Sequence, residues 1–188
     1  SLVGSEMCIR DREQSMNIRI CGTGSALPER KITNDDLSQI MDTSDEWISS
    51  RTGIKTRHLA TEETTTSLAT EAAKKALADA DMKPEEVELI IAATVTPDHL
   101  VPTLSCEVQR EIGAVNAVAF DLGAACSGFL FALSTAQAYI ASGRFKNALL
   151  IGAEVLSKIM DWNDRSTCVL FGDGAGAAVV RADEENIC

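Results

Sequence analysis

Cys126 stands inside the stretch "AFDLGAACSGFLFALSTAQAYIASG", residues 119–143, in which no charged side chain follows Asp121. A strand-like run hands over to a helix-like one at this cysteine, and two fates are open to a thiol so placed. One is that of a small buried core residue, the commoner outcome for a free cysteine. The other is that of a nucleophile. A thiol at the N-terminus of a helix lies near unpaired backbone N–H groups and the positive end of the macrodipole, surroundings that favour the thiolate. Gly123, Ala124 and Ala125 are small and leave a substrate carbonyl room to approach the sulfur. On these grounds alone the two readings stand level.

Other chemistries find less support. The six cysteines, at 8, 21, 106, 126, 168 and 188, form no C-x-x-C pair, so neither a zinc site nor a redox dithiol is indicated and reduced thiols are expected. "GTGSALP" at 22–28 lacks the third glycine of a dinucleotide fingerprint, and "GDGAGAA" at 172–178 lacks the Lys-Ser/Thr of a phosphate loop. Glycines serving tight turns and close backbone packing explain both. His58 and His99 are read as solvated or structural, since an imidazole acts only within hydrogen-bonding reach of its substrate.

The elements that must position Cys126 alternate as in an α/β domain. "NIRICGTG" reads as a strand ending in glycines, and "TNDDLSQIM" and "TSDEWISSRTG" as short helices. The second opens with a Thr43-x-x-Glu46 capping box and stops near Gly53. "TTTSLATEAAKKALADA" is an amphipathic helix with Leu68, Ala72, Ala76 and Ala80 on one face, and "VELIIAATV" is a buried strand. A helix follows with Leu104, Val108 and Ile112 in phase and Gly113 as its stop, then the strand "AVAFDL". The long helix from about Ser127 to Gly143 comes next, then the strand "NALLIGA", and "VLFGDGAGAAVV" reads as a Gly-rich turn entering a last strand. The uncharged stretch Leu122–Gly143 is interrupted by Ser127, Ser134, Thr135 and Gln137 and is rich in Ala and Gly, so it reads as a helix buried on all sides, not a membrane span.

A chain of 188 residues with 45% hydrophobic and 24% charged residues is ordinary globular material. Its net charge of −11 sets it against nucleic acid phosphates and anionic membrane surfaces, so neither is an expected partner. The first fifteen residues, "SLVGSEMCIRDREQS", have no signal-peptide core and resemble translated sequencing-adapter read-through. Residues 1–15 are therefore read as a non-native leader, with Met16 as the natural start and residues 16–188 as the domain.

Three motifs in order, "DTSDEWISSRTGI" at 42–54, "DLGAACSGF" around Cys126 and "FGDGAGAAVV" at 171–180, resemble the N-terminal half of the β-ketoacyl-acyl-carrier-protein synthase III family of the thiolase superfamily. The resemblance implies an α/β, thiolase-like fold whose complete form stacks two halves in five α-β-α-β-α layers and pairs as a homodimer in the cytoplasm. It also implies initiation of type II fatty acid synthesis: Cys126 takes an acyl group, acetyl foremost, from acyl-CoA as a thioester. The acyl-enzyme then condenses with malonyl-acyl-carrier protein as carbon dioxide is lost, in two covalent half-reactions. No cofactor or metal is implied, acyl-CoA being a substrate. By the same resemblance Trp47 and Arg165 sandwich the CoA adenine, Thr43 and Arg51 add CoA contacts, and Val101 reaches across the dimer to the partner's acyl pocket. A valine there leaves room for branched or longer primers. The family's enolate-stabilising histidine and asparagine belong to its second half, and this chain stops at Cys188. The chain by itself is thus expected to be incompetent for condensation and to self-associate through Ser127–Gly143. Two further readings remain: an acyltransferase or ketosynthase of specialised metabolism using the same cysteine, and a non-catalytic structural half-domain.

Overall fold

The computed structural model describes residues 17–183; the stretch 1–15 read above as a leader (with Cys8), Met16 and Cys188 lie outside them. In chain order the elements are β1 (Asn17–Ala26), β2 (Lys31–Thr33), α1 (Asn34–Ser38), α2 (Asp45–Thr52), β3 (Thr56–His58), α3 (Thr65–Asp79), β4 (Leu89–Ala93), α4 (Leu104–Ile112), β5 (Val118–Leu122), α5 (Gly128–Ala141), β6 (Asn147–Val155) and β7 (Asp173–Asp183). One five-stranded sheet runs in the order β1-β7-β6-β4-β5, and β2 pairs with β3 as a separate ribbon. β4 is parallel to both β5 and β6, whereas β7 runs antiparallel to β6 and β1.

Side-chain alternation along the strands splits the core into two layers. Ile90, Ala92, Leu149 and Ile151 face α3 and α4, where they meet Leu68, Ala72, Ala76, Leu104 and Val108. Leu89, Ile91, Leu150 and Val180 face the other way and meet Ala132, Ala136 and Ile140 of α5. β4 carries apolar side chains on both faces and is wholly buried, as a central parallel strand between two helical layers must be.

Gly22 and Gly24 of "GTGSALP" lie inside β1, and Gly174 and Gly176 of "GDGAGAA" inside β7, with Gly172 just before it, so these are strand glycines and not those of a turn. In β1 the reason is close packing. A Cβ at Gly22 would stand 2.4 Å from the Ala80 nitrogen, and one at Gly24 would stand 2.2 Å from the Ala72 carbonyl oxygen. Bare backbone in β1 lets the alanine face of α3 lie directly on the strand.

The sequence reading of α5 as buried on all sides is corrected. Only Gly128, Ala132, Ala136 and Ile140 are buried, a seam with a four-residue period on one face. Leu130 and Phe131 remain 66% and 55% exposed. Lack of charge marked a helix that has apolar side chains all round, but the described chain supplies a packing layer for one side only. No described helix is long and apolar enough to cross a membrane.

Candidate active site

Cys126 sits where the sheet directs two crossovers apart. The connection leaving β4 leads to α4 on one face, and the connection leaving β5 leads to α5 on the other. In open α/β sheets such a divergence opens a crevice beyond the carboxyl ends of the strands. Between β5 and α5 the chain makes one tight turn, Ala125–Ser127, and Ala125 holds φ at +46°, in the left-handed region. A non-glycine residue there costs about 1–2 kcal/mol and persists only where its surroundings hold it. Those surroundings are close: a Cβ at Gly128 would stand 2.8 Å from Ala93 Cβ, so α5 begins directly against the end of β4. The outcome is that Cys126 is exposed, on the turn that immediately precedes α5. Among the described residues this thiol takes no part in the packed core. Cys168, by contrast, is fully buried, and burial foremost pushes its thiol up, with Asp164 adding to the rise.

The loop after β4 is fastened on several sides. Glu154 at the end of β6 accepts from the Val95 amide at 2.8 Å and from the Thr96 hydroxyl, and Thr65 Oγ1 donates to the Thr96 carbonyl. Asp98 accepts from the amides of Thr65 and Thr66 at the start of α3. His99 Nδ1 lies 2.8 Å from the buried Glu107 carboxylate, which also accepts from Thr66 Oγ1. Beyond these anchors the loop presents Leu100 and Val101, 87% and 86% exposed. His58 Nδ1 contacts the Pro28 carbonyl at 2.6 Å, so both histidines have partners within the fold. Asp121, at the other end of the same region, accepts from the amides of Leu104 and Ser105 and caps α4, whose own Thr103 makes no side-chain cap.

A second group forms around α2. Its cap is Ser44, whose Oγ accepts from the Trp47 amide at 3.1 Å, and the Thr43-x-x-Glu46 box is corrected by one residue. Thr43 Oγ1 is instead buried without a hydrogen-bond partner. Buried Asn34 locks the helix in place: its amide donates to Asp45 Oδ1 and the Ile54 carbonyl, and its oxygen accepts from the Arg57 guanidinium. One turn beyond Trp47, the Arg51 guanidinium lies 4.6 Å from the indole centroid and donates to the Trp47 carbonyl. Arg165 reaches the same ring from 118 positions away, its guanidinium 5.1 Å from the centroid. Asp164 stiffens the turn that carries it, accepting from Ser166 and Thr167; these hydrogen bonds hold its carboxyl below the usual range. Arg165 also donates to the carbonyl and the carboxylate of Asp42.

The structure thus brings Thr43, Trp47, Arg51 and Arg165 into one neighbourhood. No hydrogen bond, ion pair or ring contact among the described residues joins Cys126 or Val101 to it. The sequence reading missed Asp42 as the partner of Arg165 and the caps supplied by Asp98 and Asp121. Each acts across a long loop, and local spacing carries no signal of it.

The family model for 3-oxoacyl-[acyl-carrier-protein (ACP)] synthase III matches residues 120–188. A β-ketoacyl-[acyl-carrier-protein] synthase III from Clostridium acetobutylicum is 57% identical over 170 residues, covering 90% of this chain and 52% of the relative. Among solved structures, 3-oxoacyl-[acyl-carrier-protein] synthase III from Aquifex aeolicus superposes with a TM-score of 0.89 at 56% identity, covering 90% of this chain and 55% of its own. The priming β-ketosynthase of a polyketide biosynthetic pathway superposes with a TM-score of 0.87 at 40% identity, covering 89% of this chain and 51% of its own. The chain spans about half the length of the curated relatives it matches. With its mixed sheet and thiolase-like topology, the chain is similar along most of its length to the N-terminal half of β-ketoacyl-acyl-carrier-protein synthase III proteins.

Proposed function

We propose that this chain is the cysteine-bearing half of an initiating condensing enzyme, which joins an acyl-CoA primer to malonyl-acyl-carrier protein by decarboxylative Claisen condensation. The observation that carries the reading is the exposed Cys126, held by a strained turn beyond the carboxyl ends of β4 and β5. In the first half-reaction the Cys126 sulfur attacks the thioester carbonyl, a new C–S bond forms, and coenzyme A leaves with the proton that the cysteine gives up. In the second, malonyl loses carbon dioxide, its carbanion attacks the acyl-enzyme, and the sulfur is released. Covalent catalysis divides one difficult step into two. The developing enolate needs oriented donors, each typically worth a factor of about 100 to 1000 in rate. The family resemblance assigns them to a histidine and an asparagine of the second half.

Trp47 and Arg165 are read as the adenine face of the CoA site, since an indole and a planar guanidinium both stack on a π system. Arg51 and Thr43 flank that face and are read as further CoA contacts. Val101, exposed at the tip of its anchored loop, is read as the element that enters the partner subunit's acyl pocket in a homodimer. Acetyl is the leading primer, and the complete enzyme is placed in the cytoplasm. The likeness to a priming polyketide β-ketosynthase favours a second reading, the same cysteine chemistry in specialised metabolism.

The deciding experiment extends the chain to the full length of its relatives and compares it with Cys126→Ser by intact mass after incubation with acetyl-CoA. The extended protein should gain one acetyl group and the variant none. Condensation at the wild-type rate by Cys126→Ser would sink the assignment. Release of carbon dioxide from malonyl-acyl-carrier protein after priming with acetyl-CoA or with longer acyl-CoAs separates the two metabolic readings.

A further inference from the structure

Trp47 and Arg165 are too close together to hold a base between them. Stacked planes sit about 3.5 Å apart at their closest favourable separation, so a ring sandwiched between indole and guanidinium needs them about 7 Å apart. The Arg165 guanidinium lies 5.1 Å from the Trp47 centroid, within direct cation–π range. The slot is closed upon itself, and Asp42 does the holding: Arg165 Nη1 donates to the Asp42 carbonyl and lies 3.3 Å from its carboxylate. Among the described residues that carboxylate has no other hydrogen-bond or ion-pair partner, and it is fully exposed to water.

We propose that Asp42 is a positioning residue, a latch that keeps Arg165 folded onto Trp47 until an adenine nucleotide parts them. The proposal rests on the reading of Trp47 and Arg165 as the CoA face. Arg165 is the part that moves. Arg51 is tied by its guanidinium to the Trp47 carbonyl of its own helix, whereas Arg165 belongs to a loop and takes its hold from another segment. The ligand also supplies what the latch withholds. A nucleotide phosphate offers the guanidinium the same anionic acceptor that Asp42 offers, so the arginine exchanges one oxygen partner for another as the ring slides in. Opening then costs little, and only a ligand that combines a flat base with an anion recovers both contacts.

The test uses this 188-residue chain in a Trp162→Phe background, in which Trp47 is the one remaining tryptophan. Acrylamide quenching of Trp47 without ligand reads the latch, and titration with coenzyme A and with uncharged adenosine reads its consequence. Asp42→Asn should raise the quenching and tighten both ligands about two- to fivefold, the factor that an exposed ion pair carries. Asp42→Glu should restore both readings. Unchanged quenching, or weaker binding of either ligand, overturns the latch. Tightening of coenzyme A alone, lost at high salt, overturns it too, because simple repulsion between Asp42 and the phosphates would produce that pattern. If no variant binds either ligand, the CoA reading of this face fails, and the latch is then decided by quenching alone.

Discussion

Lys158 Nζ donates to Asp98 Oδ1 at 2.8 Å, and through this contact the loop leaving β6 is fastened to the loop leaving β4. The same carboxylate caps α3 through the amides of Thr65 and Thr66. Burial pushes the Asp98 carboxyl up, but the Lys158 hydrogen bond and the Thr66 amide outweigh it and hold the group well below the ordinary range. Asp98→Asn should cost about 1–3 kcal/mol at neutral pH, mostly from the weakened cap, because Lys158 is partly in solvent. A carboxyl held below its unfolded value adds stability that is complete above that value and fades as pH falls through the folded one. Urea midpoints of the two proteins should therefore differ at pH 7 and converge as pH drops below 3.8.

Gly24→Ala should be among the most damaging single-methyl changes in the chain. Its Cβ would meet the Ala72 carbonyl at 2.2 Å and the Ala76 amide at 2.5 Å, both backbone atoms of α3 that no rotamer can move aside. A loss of about 3 kcal/mol or more is expected. Gly176→Ala, with nothing within 4 Å of the new methyl, should stay within about 1 kcal/mol and serves as the control for thermal denaturation.

The thiols should separate by reactivity. Cys126 is exposed, Cys21 and Cys106 are partly covered, and Cys168 is buried with its thiol pushed up. Of these four described thiols, iodoacetamide at pH 7.5 should label Cys126 first and leave Cys168 untouched until the protein unfolds, which peptide mapping over time would read. Cys168→Ser should fold with a penalty of about 1–3 kcal/mol, since it buries a hydroxyl among Leu37, Ile48 and Val169. Early labelling of Cys168 would contradict the packing described.

Leu130 and Phe131 on the open side of α5 should drive self-association of the isolated chain. Light scattering on the Leu130→Ser, Phe131→Ser double variant should give a lower mean mass than the parent at equal concentration. Thermal stability should change little, because neither side chain lies in the buried seam.

Element order was legible where periodicity had a local cause. Leu104, Val108 and Ile112 announced α4 and Gly113 its stop, and the residue does take φ at +80° there. β4 was legible as a short apolar run and is buried throughout. The glycines of β1 and β7 misled because a gap in side-chain volume looks the same whether it makes a turn or admits a neighbouring backbone. α5 misled because charge-free sequence tells of contact with something apolar, and not which molecule or half provides it. The Trp47 and Arg165 pairing follows from no spacing at all. Only the family resemblance suggested it, and the Asp42 contact that closes it came from the fold.

β7, the last strand of the described chain, lies between β1, the first, and β6, with Asn17 opposite Asp183. Until residues 173–183 have been made, β1 has no strand to pair with and β6 keeps one edge bare. On a ribosome the sheet therefore cannot close progressively: β1 waits for β7, more than 140 positions later. Pairing over such sequence separation is slow, and the unpaired edges are open to other chains meanwhile. A nascent chain halted before β7 would thus be a client for chaperones, however well its helices had formed.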